Sequence, residues 1–359
     1  MAFDQVTQLK SHDYWEKRAL NMALLTHHRA DKTVAMVCRN YDQAQKNIIA
    51  QIEKIFARYV NNNEALNAEK ALQLLSQKQT AEYRQALTEL YHSTTDPKIR
   101  NELRARLEAP AYANRISGLQ AVRDGIYADC LLLSLPEAKL VTSRLLDTLE
   151  QSYYRQTFEI QKGIKTYYDF KKLSNRQMQA IIAQKWEGKN YSGRIWNNNK
   201  KFARAVENTV AAGILSGQSF NDMSDRLLHV IGMTEKEGAK YNAARLIRTE
   251  CNRVATQGQI LGYKTAEIEY YIYLATLDMR TSDICISLDL KKFPLSEAQE
   301  GNNLPPMHPN CRSTTMPDID LSVLSRIWRS ARDPQTGKTI NVPPTMNYAE
   351  WYEKYVKGS

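Results

Sequence analysis

The sequence predicts a mainly α protein: elongated helical N-terminal and middle regions, then a small α+β module with a short antiparallel sheet. Three observations predict it. Apolar residues recur every three or four positions over most of the first 265 residues. Pro, Gly and Asn breaks cut that pattern into helix-length pieces. At Ile268 the period switches to two, with Ile268, Tyr270, Ile272 and Leu274 alternating with Glu269, Tyr271 and Tyr273. The expected organisation is 1–160 as a helical scaffold or interaction region, 161–265 as a basic helical region, 266–317 as the α+β module, and 318–359 as a tail ending in a docking helix.

Taken in order, residues 1–33 read as the head of a helix running on through Val34. The adjacent His27 and His28 point to different sides of it, make a poor metal pair, and read as a solvated face. Ile48, Ile52, Ile55 and Tyr59 form the stripe of an amphipathic helix over 41–60, interrupted at Asn61-Asn62-Asn63. Helices are expected near Glu64–Ser76 and Thr80–Tyr91. Asp96-Pro97 is a start signal, with Asp as cap and Pro in the first turn. The helix it opens breaks at Ala109-Pro110. Another spans Tyr112–Ser134, Leu135-Pro136 breaks it, and a long helix runs from about Glu137 to Phe170. Cys38 and Cys130 read as small apolar fillers.

Gly188, Asn190, Ser192 and Gly193 mark a loop before a helix over Ile195–Leu215, which Gly217 ends. Ser219 caps a short helix ending at Gly232. A long helix over about Glu235–Lys264 carries Arg245, Arg248, Glu250 and Arg253; Arg248 and Glu250, two apart, do not face each other and read as solvated charges, the alternative being that one reaches the segment that follows. After the Ile268–Leu274 strand, Asp278–Thr281 make a turn, and Ser282-Asp283 are placed to cap a short helix holding Cys285. Further strands are expected at Lys292–Leu295 and Arg312–Met316, with a loop through Gly301 and Pro305-Pro306. Near the C-terminus, Asn347–Lys357 reads as a short amphipathic helix with Trp351 and Tyr355.

No apolar run reaches the ~18–20 residues that span a bilayer. The first residues lack the basic-then-apolar pattern of a secretory signal. Five cysteines, an odd number at irregular spacing, argue against a disulfide framework and for a reducing compartment. The formal charge is +10, and residues 161–206 hold nearly all of the excess: eleven Lys/Arg against two acids. Candidate phosphate contacts are Lys162, Lys165, Lys171, Lys172, Arg176, Lys185, Lys189, Arg194, Lys200, Lys201 and Arg204. Tyr167, Tyr168, Phe170, Trp186, Tyr191, Trp196 and Phe202 interleave with them. Exposed, such rings can stack on bases; buried, they are core with lysines on the solvated face.

The α+β module concentrates the rarest residue types. Cys285 is followed by 22 residues, His308, two residues and Cys311. Small modules with little core are often held by a metal, and this ligand softness suggests zinc. The set is one ligand short of Cys2His2. Ser282 sits where a C-x2-C pair would put the missing thiolate, and Asp278, Asp283 or water are other fourth ligands. The same residues fit a metal-free reading, with Cys285 packed inside and His308 bonded to a backbone carbonyl. A three-ligand zinc with a bound water would make a hydrolase, with Glu297 or Glu300 as base by position. The chain has no phosphate loop, G-x-S-x-G or H-E-x-x-H motif.

The run Asp278-x-Arg280-Thr281, Cys285, Phe293, Pro306-x-His308-Pro309-Asn310-Cys311-Arg312 resembles the signature of the phage Mu F-like minor head proteins. Upstream, Arg245-x-x-Arg248-Thr249-Glu250 and Gln257-Gly258 look like that family, as does Asp13–Arg18. Ala331-Arg332-Asp333, Thr336-Gly337-Lys338 and Tyr348-x-x-Trp351 are similar to members from tailed phages and prophages of Gram-positive bacteria. The resemblance makes Arg248, Glu250, Asp278, Arg280, Thr281, Asn310 and Arg312 signature structural residues. Many relatives have Cys where this chain has Ser282.

The resemblance implies a non-enzymatic virion component. It would associate with the portal protein in the procapsid, with scaffolding or major capsid protein as further partners, and contact double-stranded DNA during packaging or ejection. It would lie in the capsid interior near the portal, and in the host cytoplasm during assembly. Some relatives carry a toxin enzyme domain after this module; with roughly 40 residues following it here, none is expected in this sequence. The other readings are a zinc-dependent hydrolase centred on Cys285, His308 and Cys311, and a cytosolic nucleic-acid-binding protein.

Overall fold

A computed structural model of the chain describes residues 12–60, 72–109, 117–164, 168–234, 236–319, 329–332, 338–342, 346 and 348–357. The first element, α1 (His12–Val60), is one 49-residue helix where two stretches were expected. Nothing between Val34 and Tyr41 breaks it, because buried Val34, Val37 and Tyr41 carry the apolar stripe straight through. Then come α2 (Gln77–Ser93), α3 (Pro97–Leu107), α4 (Gly118–Leu132), α5 (Ser134–Ile164), α6 (Asn175–Ile182), α7 (Tyr191–Leu215), α8 (Phe220–Ile231) and α9 (Ala239–Thr265). None of the helices among the described residues is long and apolar enough to cross a membrane.

The caps follow the sequence. Asp96 accepts from the amides of Lys98 and Ile99, with Pro97 at the first helical position. Ser219 accepts from Asp222 N, and Gly217 takes the left-handed φ of 66° after α7. Other boundaries moved. The break expected at Leu135-Pro136 is present but falls at Leu133, between α4 and α5; Pro136 sits in the first turn of α5, where its missing N–H costs nothing. That helix stops at Ile164, short of Phe170. Lys171 O accepts from the Tyr153 hydroxyl, and the Leu173 amide donates to Tyr154 Oη, so the following segment runs back along α5. Ser192 and Gly193 lie in the first turn of α7 rather than in a loop. Ser76 caps α2 instead of closing an earlier helix, most of whose expected span lies outside the described residues.

The described chain divides into two compact units. One comprises residues 34–140 and 192–244, and its described elements are all helices. Its core includes Leu87, Ile99, Leu103, Ala121 and Ala128, from α2, α3 and α4. The buried carboxylates Asp124 and Glu207 are paired there with Arg106, and Glu207 also with Arg123 at 2.9 Å.

The other unit comprises residues 1–33, 141–191 and 245–359. It holds the sheet: β1 (Tyr270–Leu274) between β2 (Lys292–Pro294) and β3 (Thr314–Pro317), all antiparallel. Tyr271 pairs with Phe293 and Ile272 with Met316. Four of the five β1 residues are buried, so both faces of the strand are covered, as its unbroken apolar composition suggests. Trp15, Ile160, Ile260 and Tyr263 pack on this sheet. Gly258 and Gly262 let α9 approach α5 closely: a Cβ on Gly258 would lie 2.8 Å from Leu149 O. Two tail strands went unforeseen, β4 (Arg329–Arg332) paired antiparallel with β5 (Thr339–Val342). They pack with Trp351 of the short α11 (Tyr348–Tyr352), Leu277 and Met346.

Candidate functional site

The site begins at the carboxyl end of β1. Four residues beyond β1, Asp278 holds a tight turn: Oδ1 accepts from Arg280 N at 2.9 Å and from the Thr281 hydroxyl at 3.3 Å. Arg312 grips the same carboxylate with both terminal nitrogens, Nη2 at 2.7 Å from Oδ1 and Nη1 on Oδ2. Burial would raise the Asp278 pKa, but the Arg312 and Arg280 hydrogen bonds outweigh it and the net shift is downward. Thr281 also donates to Thr276 O. The Arg280 side chain itself is largely exposed.

A polar stripe on α9 holds the loop after His308. Thr249, Asn252, Thr256 and Gln259 are buried at alternating spacings of three and four, one face of the helix. Thr249 Oγ1 accepts from Asn310 N at 2.9 Å; Asn310 has a left-handed φ of 61°. Asn252 Nδ2 donates to Cys311 O at 2.8 Å and Ser313 O at 3.3 Å. Gln259 Nε2 reaches Thr314 Oγ1 at 3.1 Å. The next residue on that face, Tyr263, meets Thr315 at 3.2 Å. This polar spacing stands in the sequence beside the apolar face of α9, whose stronger period masks it.

The charges on α9 also differ from expectation. Glu250 is not solvated: it and Arg253 are both buried, 2.9 Å apart, and Arg253 donates to Ile182 O. Arg248 reaches Asp31 at 2.8 Å. His27, expected on a solvated face, is largely enclosed; burial, with the charge of nearby Arg312, lowers its pKa. His28 is exposed.

Cys285, His308 and Cys311 are brought together, with their ligand atoms all within 4.8 Å of one another. Cys285 lies on α10 (Asp283–Leu288), the other two on the loop before β3. The Cys285 sulfur is 3.8 Å from that of Cys311 and 3.3 Å from His308 Nε2. His308 Nδ1 lies 2.9 Å from Pro309 O, which fixes its proton there and turns the Nε2 lone pair toward the sulfurs. Ser282 holds the N-cap position of α10 but makes no capping bond; its hydroxyl is 2.8 Å from Nε2. The Tyr273 hydroxyl donates to the Cys285 sulfur at 3.2 Å. The Cys311 thiol, with the Ser282, Ser313 and Tyr273 hydroxyls, donates to Cys285 against the cost of burial, so its pKa drops to about 4. The proton of the pair stays on Cys311, whose pKa rises.

Glu300, a hydrolytic base by sequence position, faces elsewhere. Its Oε1 accepts from Gln257 at 2.6 Å and lies 3.6 Å from Arg253 Nη1. The Glu297 backbone carbonyl holds Asn303.

The basic segment is divided between the units. In the sheet-bearing unit, Lys162, Lys171, Lys172, Arg176, Lys185 and Lys189 are exposed. In the helical unit, Lys201 and Arg204 are exposed, Arg194 is half-buried, and Lys200 is paired with Glu102. Lys165 and Tyr167 lie outside the described residues. Trp186, Tyr191 and Phe202 are buried and belong to the core, whereas Phe170 is exposed beside Tyr153 and Tyr154.

Comparison with known proteins gives two similarities. Residues 204–316 match the family model "Phage Mu protein F like protein". The chain is also 23% identical over 303 residues to an NAD(+)–arginine ADP-ribosyltransferase EFV of Enterococcus faecalis. That match covers 76% of this chain and 60% of the relative, so the chain spans less than two thirds of that protein. No solved structure matches.

Proposed function

We propose, on the premise that residues 204–316 place this chain in the Phage Mu protein F-like family, that it is a head morphogenesis protein of a tailed phage or prophage. It acts by binding, as a minor capsid component in the capsid interior. It docks on the portal protein in the procapsid and contacts double-stranded DNA as the genome enters or leaves.

One observation carries this reading: the signature residues, apart from the largely exposed Arg280 side chain, are engaged structurally. Asp278 holds Arg312 and Thr281, Glu250 holds Arg253, Arg248 holds Asp31, and Asn310 N is bonded to Thr249. A reacting group needs an open face toward substrate. Asp278–Arg312 instead fastens the turn after β1 to the 308–315 loop, Asn310–Thr249 fastens that loop to α9, and Arg248–Asp31 fastens α9 to α1, as a scaffold requires. The ADP-ribosyl transfer named for the Enterococcus relative is not carried over; the shared length supports a common scaffold.

Support for DNA contact is electrostatic: Lys171, Lys172, Arg176 and Lys185 are exposed close together in sequence. Two experiments test the proposal. Co-expression with the portal protein of the same phage or prophage is expected to give a complex that survives size exclusion. Binding to duplex DNA is expected to weaken steeply with salt, and Lys171→Ala with Lys172→Ala to reduce the slope of log K against log[salt] by about 2. Failure to bind DNA even at low ionic strength removes the DNA half. Failure to bind the portal removes the other.

A further inference from the structure

We propose that Cys285, Cys311, His308 and Ser282 form a structural zinc site, with the serine hydroxyl closing the fourth position. Four observations converge on it. First, the spacing fits. Two sulfurs at ~2.3 Å from a tetrahedral zinc are separated by about 3.8 Å, and a sulfur and an imidazole nitrogen by about 3.6 Å. The distances here are 3.8 Å between the sulfurs and 3.3 Å from Cys285 to His308 Nε2. Second, His308 presents the correct nitrogen. Its Nδ1 is held by Pro309 O, the outer-shell arrangement that orients a metal-bound histidine.

Third, Ser282 gives up a helix cap. A serine at an N-cap normally accepts from the helix amides, worth about 1 kcal/mol. Here it turns to within 2.8 Å of Nε2, where the cysteine of a C-x2-C pair would reach. Fourth, the local apolar core is small. Only Tyr273, Ala275, Cys285, Met307 and Cys311 form it, with Leu288 and Phe293 alongside, and two of its five members are the ligands. A metal would join α10 to the loop before β3 where apolar burial is slight.

The site is structural rather than hydrolytic. Both sulfurs belong to residues that are 2% or less exposed, and Glu300 is engaged by Gln257 and Arg253. A hydrolytic zinc keeps an open position for water; in this geometry Ser282 occupies it.

The test uses the full chain, expressed with zinc and purified under reducing conditions. Wild-type protein is expected to retain one zinc per chain by elemental analysis. Cobalt substitution is expected to give thiolate-to-metal absorption together with the visible bands of a tetrahedral ion. Chelator competition then ranks variants. Ser282→Cys, which completes a Cys3His set, is expected to bind zinc at least about tenfold tighter, and Ser282→Ala about tenfold weaker. Ser282→Cys retains every other ligand, so the test stands even if Cys285→Ser or Cys311→Ser fails to fold. Three results overturn the proposal: wild type retaining no stoichiometric zinc and gaining no thermal stability when zinc is added; Ser282→Cys binding no tighter than wild type; or an intact mass lower by two hydrogens, which marks a Cys285–Cys311 disulfide instead.

Discussion

The α9 seam of the sheet-bearing unit and the Tyr41–Glu137–Asn199 cluster of the helical unit both bury polar side chains, by different means. Along the seam, neutral groups meet neutral groups. Thr249, Asn252 and Gln259 each find an amide, a carbonyl or a hydroxyl on 310–314. In the helical cluster a carboxyl is the acceptor. Glu137 Oε2 takes hydrogen bonds from the Tyr41 hydroxyl at 2.9 Å and Asn199 Nδ2 at 2.7 Å. Its Oε1 has no hydrogen-bond partner among the described residues. Burial raises the Glu137 pKa to about 7, despite the two donors that pull it down. The regions differ in the kind of polar group buried rather than in completeness of pairing: in the sheet-bearing unit the buried Asn310 Oδ1 also has no hydrogen-bond partner among the described residues.

The sheet-bearing unit does hold one charged pair at full burial, and it offers the sharpest way to break the comparison. Arg253 is 0% exposed, and Glu250 lies 2.9 Å away. Arg253→Met leaves Glu250 buried without its cation and should cost about 3–5 kcal/mol in chemical denaturation. Adding Glu250→Leu should recover most of that loss. If the single variant is as stable as wild type, the pair does not hold α9 in place.

A pH titration of stability distinguishes the two regions directly. Unfolded, Glu137 ionises near 4.5; folded, near 7. Between those values the folded protein keeps a proton that the unfolded chain releases, so stability falls as pH rises from about 4.5 to about 7. The neutral carboxyl's advantage is full below that window and lost above it. Glu137→Gln should match wild type at pH 4 and exceed it at pH 8 by on the order of 3 kcal/mol, by the same denaturation assay. Superimposable pH profiles would show that the carboxyl does not titrate as its burial demands.

A smaller effect belongs to the neutral seam. Asn252→Ala strands the carbonyls of Cys311 and Ser313 and should cost about 2 kcal/mol, with no dependence on pH between 5 and 8. Faster amide hydrogen exchange should appear at 310–315 first. Uniform exchange across the module would mean that the loop is held by something other than α9.

Much of this was legible in the residues. The period switch at Ile268 located β1, Asp96-Pro97 located the start of α3, and the Cys-x22-His-x2-Cys spacing picked out side chains that do converge. What stayed hidden has physical causes. An apolar stripe shows that a helix is buried, not where it ends, so α1 reads as two pieces and the break between α4 and α5 reads two residues late. β4 and β5 are four residues each, and β4 begins and ends on an arginine, too short for an alternation to stand out. Ser282 looked like a cap because capping is a local rule, and His308, 26 residues away, draws its hydroxyl elsewhere. The basic segment read as one run of charge, and the fold divides it between two units assembled from non-consecutive stretches.

The most direct test of the account is quantitative mass spectrometry of heads purified after growth of the phage, or induction of the prophage, that encodes this chain. The account predicts the chain inside DNA-filled heads, in few copies relative to the major capsid protein and rising and falling with the portal protein. Heads that carry portal but lack this chain, with the protein remaining in the host soluble fraction, would contradict it.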